Sequence, residues 1–476
     1  MTKERCPMAR LTKVLVPAAI AAALCGCRTS YQEAAAARQD VMFGSGTIAM
    51  ERATAMANST VNKKLGCVEL GRLKMLRGDF AGSSAVLGPQ LEDLFDETNE
   101  GPVLKKGQIA GSILAGTLGD DRAIPYELPA FELLLGLQYQ ALNSLALGQK
   151  DNARVYLRRA TAVQEQLKEE YGKNLEDGSQ LSAEDEVNAA ANRENADAAT
   201  SQVTAKIAPV ADLVRASYEN ALAWYLMGLF FSREDDASNA AIAYREAGRI
   251  CPAILPLAAA PAGGQDVIVV YEEDLVDMRE PIKIPLPFGG TIWSVDFPVY
   301  NAPAYPPSPM AIEVGGVQAA TCVPVVNVQA LAYRDLKDRI PGIATRNVTR
   351  AAVKIAAQQV ANHINTGDSY ANLALSLGVL LYNTTSTVIA EADTRAWQTV
   401  PEHVQLARLA LPAGKGSLTV RNARTGRACE VAVPHDGGTK IVWISDARGF
   451  ATATVLTVGA RGTPSWSRIP SLLGLR

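Results

Sequence analysis

The densest group of reactive side chains is the stretch EADTRAW, seven residues from Glu391 to Trp397. Two carboxylates, a guanidinium and an indole could supply an acid–base pair of the kind that cleaves glycosidic bonds. They could equally form a sugar-binding surface or an ion pair at a junction. The apolar run from Tyr370 to Ala390 reads as a helix. Glu391 and Asp393 then fall at its C-terminal turn, where carboxylates oppose the helix dipole and need an offsetting cation. Arg395 is placed to be that cation. If the following chain is extended, Asp393, Arg395 and Trp397 share one side at period two. Arg395 can then grip a carboxylate bidentately while Trp397 packs on a seam. Two carboxylates so close on one chain seldom flank a sugar bond from opposite sides. The stretch therefore reads as a structural latch, an ion-paired joint between a helical hairpin and the strands after it, rather than a catalytic pair.

The rest of the chain offers little other chemistry. Its three histidines, His363, His403 and His435, make no metal-binding spacing. There is no G-x-S-x-G elbow for a serine nucleophile. The glycines of GQIAGSILAGTLGDD, Gly107 to Gly119, are not followed by the Gly-Lys-Ser/Thr of a phosphate loop. No catalytic residue, metal ligand or cofactor site is expected, and the protein reads as a non-enzyme. With 46 basic against 49 acidic residues the net charge is −3, without the basic surplus of a nucleic-acid binder.

The N-terminus carries an address. Lys3, Arg5, Arg10 and Lys13 precede an apolar segment, Val14 to Leu24, of the length a secretory signal needs. Leu24-Cys25-Gly26-Cys27 follows and resembles the bacterial lipobox. That resemblance implies removal of residues 1–26 and acylation of Cys27. Several acyl chains anchor stably where one is marginal. Arg28 and Thr29, with no aspartate after the cysteine, imply an outer-membrane destination facing the periplasm. Cys67, Cys251, Cys322 and Cys429 remain in the mature chain, scattered in apolar contexts. They read as single buried thiols, with disulfide pairing the alternative.

Residues 27–260 read as helical repeats. From Ala221 to Pro252, Trp224, Gly228, Phe231, Ala240, Tyr244, Ala247 and Pro252 fall where a tetratricopeptide repeat places them. Small residues let two helices touch, aromatics fill the space around them, and proline ends the second helix. Weaker copies place Leu137, Ala141, Gly148, Ala153, Leu157 and Ala160, and earlier Leu70, Gly71, Gly78 and Leu87, with Ser83 in place of the usual alanine. The polar segment after Tyr171, with a helix-start signal at Ser182-x-x-Asp185, reads as a solvated helix.

After Pro252 the texture changes. ILPLAAAPAGG reads as a linker. Residues 261–340 carry short β-branched runs between proline and glycine turns, TCVPVVNVQALAY among them. Residues 341–391 read as a helical hairpin, and 392–476 as further strands, with HDGG a hairpin turn. The expected fold is α+β and multidomain: a tetratricopeptide-like helical domain, then a β-sandwich-like domain interrupted by the hairpin.

The lipobox, the segment PYELPAFE…ALNSLALGQKDNARVYLRRA, the Trp224–Pro252 repeat and EADTRAWQTVPEHVQLARLALPAG together resemble a family of bacterial lipoproteins with tetratricopeptide-like helices. Glu391, Asp393, Arg395 and Trp397 match its signature, and Val400-Pro401 its following Leu-Pro. The resemblance implies an envelope protein but assigns no reaction. The expected role is a lipid-anchored scaffold whose repeats bind a protein partner of the envelope. The alternative is a peptidoglycan- or carbohydrate-binding module using Trp293, Tyr300, Tyr305 and Trp443.

Overall fold

A computed structural model describes residues 30–98, 101–105, 124–174, 183–288, 291–363, 392–459 and 464–473. The expected signal segment, Cys27, Gly107 to Gly119, the second arm of the expected helical hairpin and Glu391 lie outside the described residues. The fold is mixed α+β. Its helical half contains α1 (Ser30–Phe43), α2 (Thr47–Ala57), α3 (Lys63–Leu76), α4 (Phe80–Glu92), α5 (Ala130–Ala146), α6 (Lys150–Asn174), α7 (Ala183–Ala211), α8 (Ala221–Arg233) and α9 (Ala237–Ile250).

Three helix pairs share one turn. Arg77–Asp79 joins α3 to α4, Leu147–Gln149 joins α5 to α6, and Glu234–Asp236 joins α8 to α9. The middle residue is left-handed each time: Gly78 at φ 78°, Gly148 at 72° and Asp235 at 61°. The third residue's N–H reaches the carbonyl five positions back, Asp79 to Lys74, Gln149 to Ser144 and Asp236 to Phe231. This is the Schellman closure, which satisfies carbonyls that a helix end leaves without partners. Asp79 and Asp236 then cap the next helix through the N–H groups of Gly82 and Asn239.

The paired helices approach closely at glycine. A Cβ at Gly71 would sit 2.4 Å from Leu87, and one at Gly228 would sit 2.8 Å from the Tyr244 ring. Ser83, Ala153 and Ala240 are buried opposite. The Ser83 hydroxyl donates to the Gly71 carbonyl at 2.7 Å, so serine is accommodated where alanine was expected. The pairs stack in order, α4 on α5 and α6 on α8, and α5 is buried along its whole length.

The helical half is not purely helical. β1 (Phe95–Thr98) and β2 (Gly101–Leu104) form a small antiparallel hairpin that the helical expectation missed. Helix α7 is less solvated than expected. Ala196, Ala199, Val203, Ile207 and Val210 recur at helical spacing and are buried, and the helix packs on α10 (Val328–His363). Helix α10 begins well before residue 341. Asn327 accepts the Ala330 N–H and caps it, so the run expected as one strand splits into β8 (Val323–Asn327) and the helix start. The expected linker contains a 3₁₀ turn, Pro252–Leu257.

Strands from before and after α10 share two sheets. The six-stranded sheet runs β14 (Ser465–Ile469), β13 (Phe450–Val458), β12 (Thr439–Ala447), β3 (Gln265–Glu273), β9 (His403–Leu411), β8. Within it β3 is parallel to β12 and antiparallel to β9. The four-stranded sheet runs β11 (Ala428–Ala432), β10 (Ser417–Asn422), β6 (Met310–Val314), β7 (Val317–Thr321). A separate hairpin pairs β4 (Glu280–Phe288) with β5 (Thr291–Val299). HDGG is not a hairpin turn. It carries the chain from β11 to β12, which lie in different sheets, with Gly437 and Gly438 both left-handed.

The six-stranded sheet is covered on both faces. Val267, Val269, Tyr271, Leu409, Val442 and Ile444 join Met310, Ile312, Leu418 and Val420 of the other sheet in one core. Ile268, Val270, Leu406, Ile441 and Trp443 join the helical core. Burial on both sides makes DVIVVY a continuous apolar run rather than an alternating one.

Candidate functional site

Residues Ala392–Glu402 form an irregular strap, with Asp393 the half-buried exception in a buried run from Ala392 to Glu402. Asp393 is therefore not in a helical turn. Arg395 grips it bidentately, Nε to Oδ1 and Nη2 to Oδ2, both at 2.8 Å. Burial raises the Asp393 carboxyl, but the Arg395 guanidinium outweighs it and holds the group below its usual range. Arg395 Nη1 also donates to Asn62 Oδ1 at 3.1 Å and the Ile124 carbonyl at 3.0 Å, and the guanidinium lies 5.6 Å from the Tyr126 ring centre. The latch thus ties the strap to the N-terminal helical half. The expected joint between helical hairpin and last strands is corrected to that extent.

Two glutamates on α3 and α5 receive the strap. Trp397 N–H donates to Glu132 of α5 at 3.0 Å. Gln398 N–H and the Thr399 hydroxyl donate to Glu69 of α3, at 2.5 and 2.7 Å. Trp397 Nε1 donates to Thr399 at 2.8 Å, and its ring meets Tyr139 edge-on with centroids 5.7 Å apart. The Tyr126 hydroxyl also donates to Glu132, at 3.0 and 2.9 Å. Burial still dominates: it pushes Glu132 up to about 7 and raises Glu69 as well.

Behind Tyr139 lies a second buried group. Arg72 of α3 pairs with Glu272 of β3 and donates to Ser445 of β12 at 3.0 Å. Its guanidinium sits 4.1 Å from the Tyr139 ring centre, while the Tyr139 hydroxyl donates to Glu272 at 2.9 Å. Burial works against the Arg72 charge, but Glu272 and Tyr139 outweigh it and the proton is held more tightly than usual. Arg279 donates to the Arg395 carbonyl at 3.1 Å, to the Tyr300 hydroxyl at 2.9 Å and to Asp335 at 3.4 Å. Helices α3 and α5, β3 and the strap are therefore joined by charge-assisted bonds at one seam.

This arrangement clamps. The carboxylates of Glu69, Glu132 and Glu272 accept hydrogen bonds from protein donors. The two clefts beside them, one lined by Glu69, Gln398 and Thr399, the other by Arg72, Glu272 and Ser445, hold about 10 Å³ each. That is room for about one water. Among the described residues no His, Cys, Asp or Glu group is arranged to hold a metal, and no helix is long and apolar enough to cross a membrane.

The other expected positions are dispersed. Trp224, Gly228, Ala240 and Ala247 are buried in the α8–α9 pair, Phe231 and Tyr244 are half-buried at its edge, and Pro252 is exposed at its end. Tyr300 and Trp443 are buried: Tyr300 stacks on Tyr333 with ring centroids 4.6 Å apart, and Trp443 sits in the sheet–helix core. This corrects their reading as exposed sugar platforms; Trp293 is half-buried and Tyr305 exposed. His403 is buried and His435 is exposed. Cys67, Cys251, Cys322 and Cys429 are free thiols, and burial pushes Cys322 and Cys429 up to about 12.

Glu69, Arg72, Glu132, Glu272 and Arg279 were not singled out from the sequence. The available signal was a lone charge in an apolar helix, as Glu132 stands in AFELLLGLQYQALNSLA. Such a residue must find partners once buried. Compared with known protein families, curated proteins and solved structures, the chain finds no match.

Proposed function

We propose that this is a lipid-anchored protein of the bacterial cell envelope, held through Cys27 on the outer membrane and facing the periplasm. Its tetratricopeptide-like pairs act as a scaffold for a protein partner. The observation that supports this reading is the recurrence of one helical hairpin three times, with the same left-handed turn residue and Schellman closure. Stacked hairpins of this kind present extended surfaces for binding other chains. The two facing sheets act as a β-sandwich-like base. The strap from Ala392 to Glu402 locks that base to the first two hairpins, so the buried charges serve position rather than turnover.

Three measurements test the reading. Crosslinking in cells followed by mass spectrometry should return defined envelope proteins. Binding of the purified protein to sacculi freed of protein would instead favour a peptidoglycan ligand. Cys27→Ala should move the protein from the membrane to the soluble periplasmic fraction. Retention of that variant at the membrane would remove the lipid anchor from the proposal.

A further inference from the structure

Exposed apolar side chains gather where α1, the turn after it, the α3–α4 turn and the β13–β14 edge meet. Phe43 is 58% exposed, Ile48 52% and Trp466 38%. Local contacts make these one surface. Phe43 Cδ1 lies 2.7 Å from where a Gly449 Cβ would stand. Phe450 follows, with the Arg468 guanidinium 5.1 Å from its ring centre. Trp466, two residues before Arg468, rests its ring on Gly78. Arg77 donates to the Ser45 carbonyl at 2.6 Å, between Phe43 and Ile48. Arg77 and Arg468 are the cations of the patch; the nearby Asp79 carboxylate is paired with Lys74 at 2.9 Å, and the Asp40 carboxylate accepts the Ala49 N–H at 3.2 Å.

Helix α1 continues the surface. Gln32, Ala36, Gln39 and Phe43 follow one another at intervals of four, three and four residues, so they line one side of the helix. Gln32, Gln39 and Phe43 are exposed, Ala36 is half-buried and Glu33 flanks the stripe. The stripe itself is uncharged, and its first residue lies five positions after Cys27.

We propose that this patch docks on the anionic surface of a lipid bilayer, with α1 lying along the membrane plane. The proposal rests on the reading of Cys27 as lipid-bearing, since that lipid would hold the start of α1 at the same surface. Aromatic and aliphatic side chains enter the headgroup boundary, and arginines at the rim meet lipid phosphates. The acyl chains supply the anchor, and the patch sets how the repeats face away from it.

The test uses the mature chain from position 27 with Cys27→Ser, so that no acyl group contributes. Flotation is measured with vesicles of phosphatidylglycerol and phosphatidylethanolamine, and with phosphatidylcholine alone. Wild type should float with the anionic vesicles, less at high salt, and not with the neutral ones. Ile48→Ser with Arg468→Glu should lower the partition coefficient about tenfold or more. Both residues are exposed, so the thermal melt should be unchanged, and a shifted melt moves the test to each single variant. No flotation of wild type, equal flotation of the variants, or equal binding to neutral vesicles overturns the proposal. The mass of Cys27 in wild type recovered from cells is a separate readout. An unmodified cysteine there sinks the anchor while leaving the vesicle result to stand or fall alone.

Discussion

Both faces of the six-stranded sheet are covered, and they are differently held. Toward the four-stranded sheet the contact is mainly apolar, built from Val267, Val269, Leu409, Ile444 and their partners, with two buried polar groups, Tyr271–Asp446 and Ser308–Glu273–Gln405, at one end. Toward the helices the apolar contact is joined by Arg72, Glu272, Glu132, Glu69 and the strap. An apolar contact is graded: each lost methylene removes a share, and neighbours partly refill the space. A buried charge network is specific: it fixes which helix meets which strand, and loss of one member strands another. The sheet–sheet face therefore supplies cohesion, and the sheet–helix face supplies registry.

The largest expected effect is on the charged face. Arg72→Met leaves Glu272 buried with only Tyr139 and Ser445 as donors. A loss of about 3–5 kcal/mol is expected by urea unfolding. Adding Glu272→Gln should restore much of it, because the stranded charge is gone. Simple additivity of the two changes would show that the pair is not coupled and would break the comparison. On the apolar face, Leu409→Ala should cost about 3 kcal/mol. No single second-site neutralisation should rescue it.

The same contrast explains what the sequence discloses. The hairpins are legible because Gly78 and Gly148 sit where the chain must turn left-handed, and because small residues recur opposite one another. The strand DVIVVY is legible because both its faces are apolar. The charged seam is not, because local pattern treats Glu69 and Glu132 as solvent-facing. Their partners arrive from Gln398 and Trp397, hundreds of residues along the chain. The β3–β12 parallel pairing is hidden for the same reason, and HDGG misleads because a good turn says nothing of which sheet the next strand joins. EADTRAW shows its chemistry in the sequence, but only the fold reveals that Arg395 reaches Asn62 and Ile124.

A pH titration separates the faces next. Burial raises Glu132 from 4.5 in the unfolded chain to about 7 in the folded one. A group raised in this way favours folding fully below about 4.5, and that contribution fades as pH rises through about 7. At 1.36 kcal/mol per pH unit the change is at most about 3 kcal/mol. Glu132→Gln keeps an acceptor for the Trp397 N–H and cannot ionise. The variant should match wild type near pH 4.5 and exceed it at pH 8. Asp446, raised by burial to about 6, follows the same sign in both proteins and cancels in the difference. Leu409→Ala minus wild type should be flat over the same range. A slope there, or a flat Glu132→Gln difference, would contradict the division between the faces.

The smallest effect is expected at the edge of the charged seam, in the segment with the densest chemistry. Arg395→Ala removes the bidentate grip on Asp393, two bonds to Asn62 and Ile124, and the contact with Tyr126. The Asp393 side chain keeps 26% of its surface open, against 2% for Glu272, so water can take over part of the lost bonding. The cost should be about 2 kcal/mol, below that of Arg72→Met. Its pH dependence should run opposite to that of Glu132. Arg395 holds Asp393 below 3.8, which stabilises the fold above that pH and is lost as pH falls through the folded value. The deficit of the variant should therefore shrink in acid. Trp397 stays tied to Glu132 through its backbone, so its fluorescence should keep the native maximum at pH 7. A variant as stable as wild type that no longer retrieves the crosslinked partner would turn the strap from a structural latch into a recognition surface.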